Sequence, residues 1–249
     1  AVLVVVAVSR TRDDAWRSLI RPATLFAALG VAAFQLFFFS GVDRTGVAVG
    51  TVLALGSAAV FVGAIEAILL RSWPSLTWVA ATVPAIAGLA LLAFATRSAE
   101  VDAFGVTLSL AAGLSYAIYV VGASRLARIG SVRYSAAAVF FLAAVLLAPV
   151  ALTQDLAFVA TVDGAVMVLW LGLATLALAY LLFTTGLQTT DSGNAATLSL
   201  AEPVTATLLG VLVLAERPSV AAWLGIALIV LGLVLAARAS RSEVAPIPG

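Results

Sequence analysis

Apolar runs of membrane-spanning length alternate with short polar connectors along nearly the whole chain. Eight runs, near 23–42, 46–70, 76–96, 102–124, 134–152, 164–187, 192–214 and 220–238, are long enough to cross a bilayer. A helix rises about 1.5 Å per residue, and about 20 apolar residues span the hydrocarbon. Residues 1–8, AVLVVVAV, are too short for this and read as the end of a helix. Turn formers punctuate the connectors: Asp43-Arg44-Thr45-Gly46, Arg71-Ser72-Trp73-Pro74, Thr189-Thr190-Asp191 and Glu216-Arg217-Pro218. The pattern predicts an all-α polytopic membrane protein with a polar, disordered tail, SRSEVAPIPG.

Composition sharpens this picture. The chain is 63% hydrophobic and 10% charged, where a soluble domain is about one-half apolar and one-quarter charged. It has no Cys and no His, and all 13 basic residues are Arg. These absences exclude a disulfide framework, a histidine or thiolate metal site, a phosphate-loop lysine and a retinal Schiff base. No paired acids lie inside a span, so the expectation is no enzyme, no cofactor and no metal. Charges confined to short loops give no reason to expect nucleic acid. Arg10, Arg12, Arg17, Arg21, Arg71, Arg125, Arg128, Arg133, Arg238 and Arg241 fall on one side of the alternating spans, and only Arg44, Arg97 and Arg217 on the other. The arginine-rich side is cytoplasmic by the positive-inside rule. This predicts a multi-pass protein of the cytoplasmic membrane with its C-terminus inside. Trp16, Trp73, Trp78 and Trp223 lie near the predicted edges as interfacial anchors.

Candidate chemistry concentrates in residues 189–219. Glu202 sits near the middle of a span and is followed by Pro203. An ionisable group there is costly and marks a functional site by default. The proline removes the hydrogen bond to the Ser199 carbonyl and bends the helix. On a continuous helix, Asn194, Ser199, Glu202 and Thr205 fall within an arc of about 140°. That stripe is either a cavity wall with a proton- or substrate-binding carboxylate, or an architectural Glu-Pro bonded to a neighbouring helix. Tyr116 and Tyr119 could reach the same cavity. Glu66, four residues from the end of its span, is either a gate residue or a side chain reaching the interface. Glu216 reads as a turn residue. Gly105, Ser109 and Gly113 form a small-residue packing seam. Gly225, Ile229 and Gly232 form a smooth face for packing inside the bundle or between protomers of a homodimer.

The chain also repeats itself. Residues 26–45 match 171–190 at an offset of 145, with Ala32/Ala177, Leu36/Leu181, Phe38/Phe183, Gly41/Gly186 and Thr45/Thr190 identical. Trp78 pairs with Trp223, and Pro74, Ser75 and Gly88 pair with Pro218, Ser219 and Gly232 at an offset of 144. Gln35 and Tyr180 occupy equivalent places, each either lining a cavity or bonding across a helix pair. Five helices per repeat would invert the second copy, as in many secondary transporters. The second repeat opens near Ala103, so the offset places the first opening about 43 residues before Ala1. The expectation is ten spans in the full protein, with about eight and a stub here. The implied domains are 1–98, 99–239 and a tail, 240–249.

Gly186, Ala195-Ala196, Leu200, Glu202-Pro203, Leu209-Gly210, Glu216-Arg217, Gly225 and Gly232 together resemble the closing signature of the drug/metabolite transporter superfamily, EamA type. The first repeat departs from it, with Gly56-Ser57 where the second has Glu202-Pro203. The resemblance implies an inverted repeat of five-helix bundles. It implies a secondary transporter that exports a small metabolite, amino acid or drug by alternating access. Substrate-binding candidates are Gln35, Tyr116, Tyr119, Tyr180, Asn194, Ser199, Glu202 and Thr205. Glu202, Pro203 and Glu66 are the gating or coupling candidates. Expected partners are the small-molecule substrate, membrane lipid and a coupling proton or ion. A flippase for a lipid-linked headgroup and a non-transporting assembly subunit are the alternatives.

Overall fold

A computed structural model describes residues 19, 21–71, 73–95, 102–129, 132–214 and 217–243. The N-terminal stub, Arg10, Arg12, Trp16, Arg17, Arg97, Glu216 and the end of the tail lie outside these. The described residues are helical and contain no strand: α1 (Pro22–Thr45), α2 (Val47–Leu70), α3 (Leu76–Ala95), α4 (Ala103–Ile129) and α5 (Val132–Ala151) come first. A 3-10 turn, Ala157–Ala160, leads into α6 (Val162–Trp170), a π-helical segment (Leu171–Leu178) and α7 (Ala179–Gly186). The chain closes with α8 (Ser192–Leu198), α9 (Ala201–Leu214) and α10 (Val220–Glu243).

Seven continuous helical stretches among the described residues are long and apolar enough to cross a membrane, and Leu76–Leu92 adds a shorter apolar one. The eight expected runs are therefore all helical. The turns obey local chemistry. Gly46, between α1 and α2, has φ 79°, a left-handed conformation that glycine adopts without steric cost. Arg71 caps α2 in the same region at φ 51°, its N–H bonded to the Ala67 carbonyl. Two departures concern length. α4 runs five residues past its expected end, and α10 continues to Glu243, through the start of the predicted tail.

The fold divides into two compact units, with the division falling inside α1 and inside α4. The smaller comprises the described residues up to Ala32 together with Gly122–Thr189. Here α1 and α4 approach closely, since a Cβ at Gly122 would stand 3.0 Å from the Ala27 Cβ. The hydropathic window of Val162–Gly186 contains no buried residue, as suits a helix whose sides face lipid.

The larger unit holds Ala33–Val121 and the described residues from Thr190 onward. Its core joins Leu55, Ala85, Leu89, Leu92, Leu200, Val204, Ala222, Ile226 and Ile229. Lipid tails are as apolar as leucine, so close packing must supply the attraction between helices. Glycines permit it. Gly225 faces the Gly88 carbonyl and the Leu92 N–H, and Gly232 faces the Ala81 carbonyl and Ala85. As numbers rise along α10 they fall along α3, so these two helices run antiparallel. The Gly225–Ile229–Gly232 face is thus used inside the unit. The seam on α4 is used likewise: Gly113 meets Ser57 and Ala54 of α2, and Ser109 lies against Gly41 of α1.

This packing separates two glycines of equal helix propensity. A Cβ at Gly88 would collide with the Gly225 carbonyl, whereas Gly172 has nothing within 4 Å. Gly88→Ala is expected to cost about 1–3 kcal/mol relative to Gly172→Ala, measured as a lower unfolding temperature in detergent. Equal stability of the two variants would contradict the α3–α10 packing.

Candidate functional site

The span carrying Glu202 is built from two helices. α8 begins with Asp191 as its N-cap, whose carboxylate accepts the Asn194 backbone N–H at 2.8 Å. This satisfies one of the donors a helix start leaves open. α8 ends at Leu198, and α9 begins at Ala201. Between them the Leu200 N–H donates to the Thr197 carbonyl and the Glu202 N–H to the Ser199 carbonyl, both at 3.1 Å. These i-to-i+3 bonds tighten the chain at the break. Pro203 does remove the α-helical partner of the Ser199 carbonyl, as the sequence predicts, but the Glu202 N–H takes that carbonyl back. It is not left free.

The break also rearranges the expected polar stripe, which assumed one continuous helix. Asn194 is buried at 4% exposure, and its Nδ2 donates to Asp191 Oδ2 at 2.5 Å. Ser199 faces α4, where its hydroxyl meets the Tyr116 hydroxyl at 3.3 Å. Glu202 and Thr205 are exposed. The Glu202 carboxylate is near enough to the Tyr116 hydroxyl for its charge to act on it. What remains together is the Tyr116–Ser199 pair, with the Glu202 charge acting on it.

Aromatic rings extend this pair. Tyr116 lies 6.0 Å from Tyr119 and 5.5 Å from Phe34, which stacks on Phe38 at 5.1 Å. Gln35 is half-buried on α1 in the same unit. Tyr180 belongs to the smaller unit, where its ring packs against Phe140 at 4.6 Å. It sits just after the π-helical segment, a local widening frequent at functional sites.

Glu66 gathers a second polar cluster in the larger unit. Its carboxylate accepts from the Ser192 hydroxyl and from the backbone N–H groups of Ser192 and Gly193, with the Asp191 charge nearby. Below it, the Thr82 and Thr197 hydroxyls bond at 2.9 Å in a buried contact between α3 and α8. Asp191, Trp78 and the threonine pair were missed as site residues. The cap spacing from Asp191 to Asn194 was the available signal. Phe34 and Phe38 were missed too, although their four-residue spacing places them on one helical face. Among the described residues no group of three acids, histidines or cysteines gathers to hold a metal ion.

The fold and its buried polar strips define a multi-pass, all-α membrane protein. The EamA-like transporter family model matches residues 103–238. A Bacillus subtilis (strain 168) protein named "Uncharacterized transporter YwfM" is 39% identical over 246 residues, covering 98% of this chain and 81% of its own. A solved crystal structure, 23% identical, aligns with TM-score 0.78 over 96% of this chain and 84% of its own. That last likeness concerns the fold alone. The chain belongs to the EamA-like transporter family and is a membrane transporter.

At the start of α4 an ion pair joins the ends of two helices. Arg44 Nη1 meets Asp102 Oδ2 at 3.3 Å, and the guanidinium stands 5.0 Å over the Phe104 ring. The Phe104 backbone N–H, helped by Arg44, holds the Asp102 carboxyl below its usual range. A depressed folded-state pKa gives stability that is present above the unfolded pKa and lost as pH falls through the folded one. Acid should therefore loosen this end, and Asp102→Asn should flatten that limb of the thermal stability profile. An unchanged acid limb would show that the pair contributes nothing.

Proposed function

We propose that this chain is a secondary carrier that exports a small metabolite, amino acid or drug across the cytoplasmic membrane by alternating access. The observation that carries the proposal is the broken span at Ser199–Leu200, with Ser199 meeting Tyr116 and the Glu202 charge acting on that tyrosine. Discontinuous helices at mid-membrane place backbone and side-chain polar groups where a substrate can reach them. Phe34 and Phe38 add flat apolar surface for an organic solute, and the buried Tyr119 backs Tyr116. In this proposal Gln35, Tyr116, Tyr119, Ser199, Glu202 and Thr205 contact substrate. Asn194 adds a substrate contact within the larger unit, Tyr180 is a separate substrate-binding candidate of the smaller one, and Pro203 and Glu66 serve gating.

The repeat organisation, 1–98 and 99–239 in opposite orientation with a cytoplasmic tail at 240–249, belongs to the same proposal. The antiparallel contact of α3 with α10 supports it, because Gly88 and Gly232 are repeat equivalents. The arginine bias supports a cytoplasmic C-terminus. The role assigned here is transport rather than catalysis.

Proteoliposomes containing the full chain test this proposal with a panel of amino acids, metabolites and drugs. Saturable flux of at least one solute is expected. Glu202→Gln should lower that flux about tenfold, the loss of one charge-assisted contact, and should alter its pH dependence. A Glu202→Gln protein with unchanged flux and pH dependence would remove Glu202 from the mechanism. Flux of every solute equal to that of empty liposomes would count against a carrier.

A further inference from the structure

The cluster around Glu66 is short of positive charge. Glu66 on α2 and Asp191 at the start of α8 are two carboxylates in electrostatic contact, and the charge bearing on Glu66 is that of another acid. The N–H groups of Ser192 and Gly193 reach Glu66 from the start of α8. Asn194 is the independent observation. Its Nδ2 must face Asp191 to donate, which fixes the amide orientation. Its Oδ1 is then buried and has no donor among the described residues. A buried acceptor left without a partner costs about 1–3 kcal/mol.

Among the described residues no neighbouring side chain donates to the Asn194 oxygen. α3 presents Trp78, whose Nε1 is buried without an acceptor and would stand 2.8 Å from a Cβ at Gly193. It also presents Thr82, already bonded to Thr197. Among the described residues Arg71 caps α2, and α10 carries Arg238, Arg241 and Glu243 in its last turns.

We propose that Glu66, Asp191, Ser192 and Asn194 form a binding site for one hard monovalent cation of the sodium class. Carboxylate, hydroxyl and amide oxygens are the donors such ions prefer. Two carboxylates, with Asp191 already accepting two N–H groups, fall short of the six to eight oxygens calcium takes. Magnesium needs near-ideal octahedral geometry. A cation here satisfies the Asn194 oxygen and ties the end of α2 to the start of α8. Its coupling to flux rests on the carrier proposal, but its binding does not.

Binding is tested without any transported solute. Full-chain protein in detergent is melted at constant ionic strength while sodium chloride replaces choline chloride. The wild-type midpoint should rise saturably with sodium. Glu66→Gln and Asn194→Leu should each raise the half-saturating concentration at least about tenfold. Equilibrium binding of radioactive sodium to the wild type, displaced by unlabelled sodium and not by choline, guards against variants that fail to fold. No saturable sodium binding to the wild type would overturn the site. So would a response retained in Glu66→Gln, a midpoint that follows pH alone, or displacement by calcium at lower concentration than by sodium. Any of these outcomes would leave solute flux, and the carrier proposal, untouched.

Discussion

Inside a bilayer the backbone has no water to turn to, and each unsatisfied N–H or carbonyl costs several kcal/mol. A span can therefore break only where its freed groups find new partners nearby. The Ser199–Leu200 break meets that condition by tightening into i-to-i+3 bonds. The Ser199 hydroxyl returns to the Ala195 carbonyl at 3.1 Å, and the Thr207 hydroxyl bonds the carbonyl of Pro203 itself at 2.8 Å. With these bonds made, the span tightens without leaving the Ser199 carbonyl unpaired, and Ser199 meets Tyr116. Without them, Pro203 would simply strand a carbonyl in lipid.

The larger unit is arranged to hold that break in place. Leu200, at the break, is fully buried in a core shared with α2, α3 and α10. That core depends on the close approach of α3 and α10, which rests on Gly88, Gly225 and Gly232 having no side chains. At the other edge, Gly113 lets α4 approach α2, so that Tyr116, three residues on, reaches Ser199. Small residues at contacts and aromatic residues beside the acid are two sides of one design. The first removes space so that the second can be placed.

Much of the fold was legible because the bilayer imposes a simple length rule on apolar runs. All eight runs became helices, and the small-residue seams on α4 and α10 were identified from spacing alone. The candidate site was less legible. The stripe Asn194–Ser199–Glu202–Thr205 holds for an unbroken helix, and the helix instead breaks at Ser199–Leu200. Asn194 faces Asp191, while Ser199 meets Tyr116. Glu66 and Asp191 lie far apart in sequence, and no local pattern signals that their charges act on one another.

Sequence alone determined where the apolar helical runs lie, which side-chain types are absent, and the presence of one costly acid beside a proline. These follow from properties each residue carries by itself: hydropathy, ionisability and a missing N–H. Tertiary structure decided where the helix breaks and which polar groups then meet. It also decided which glycine faces are consumed by packing within a unit. Those outcomes depend on competition among distant partners for the same buried donors and the same space, which no single stretch of chain encodes.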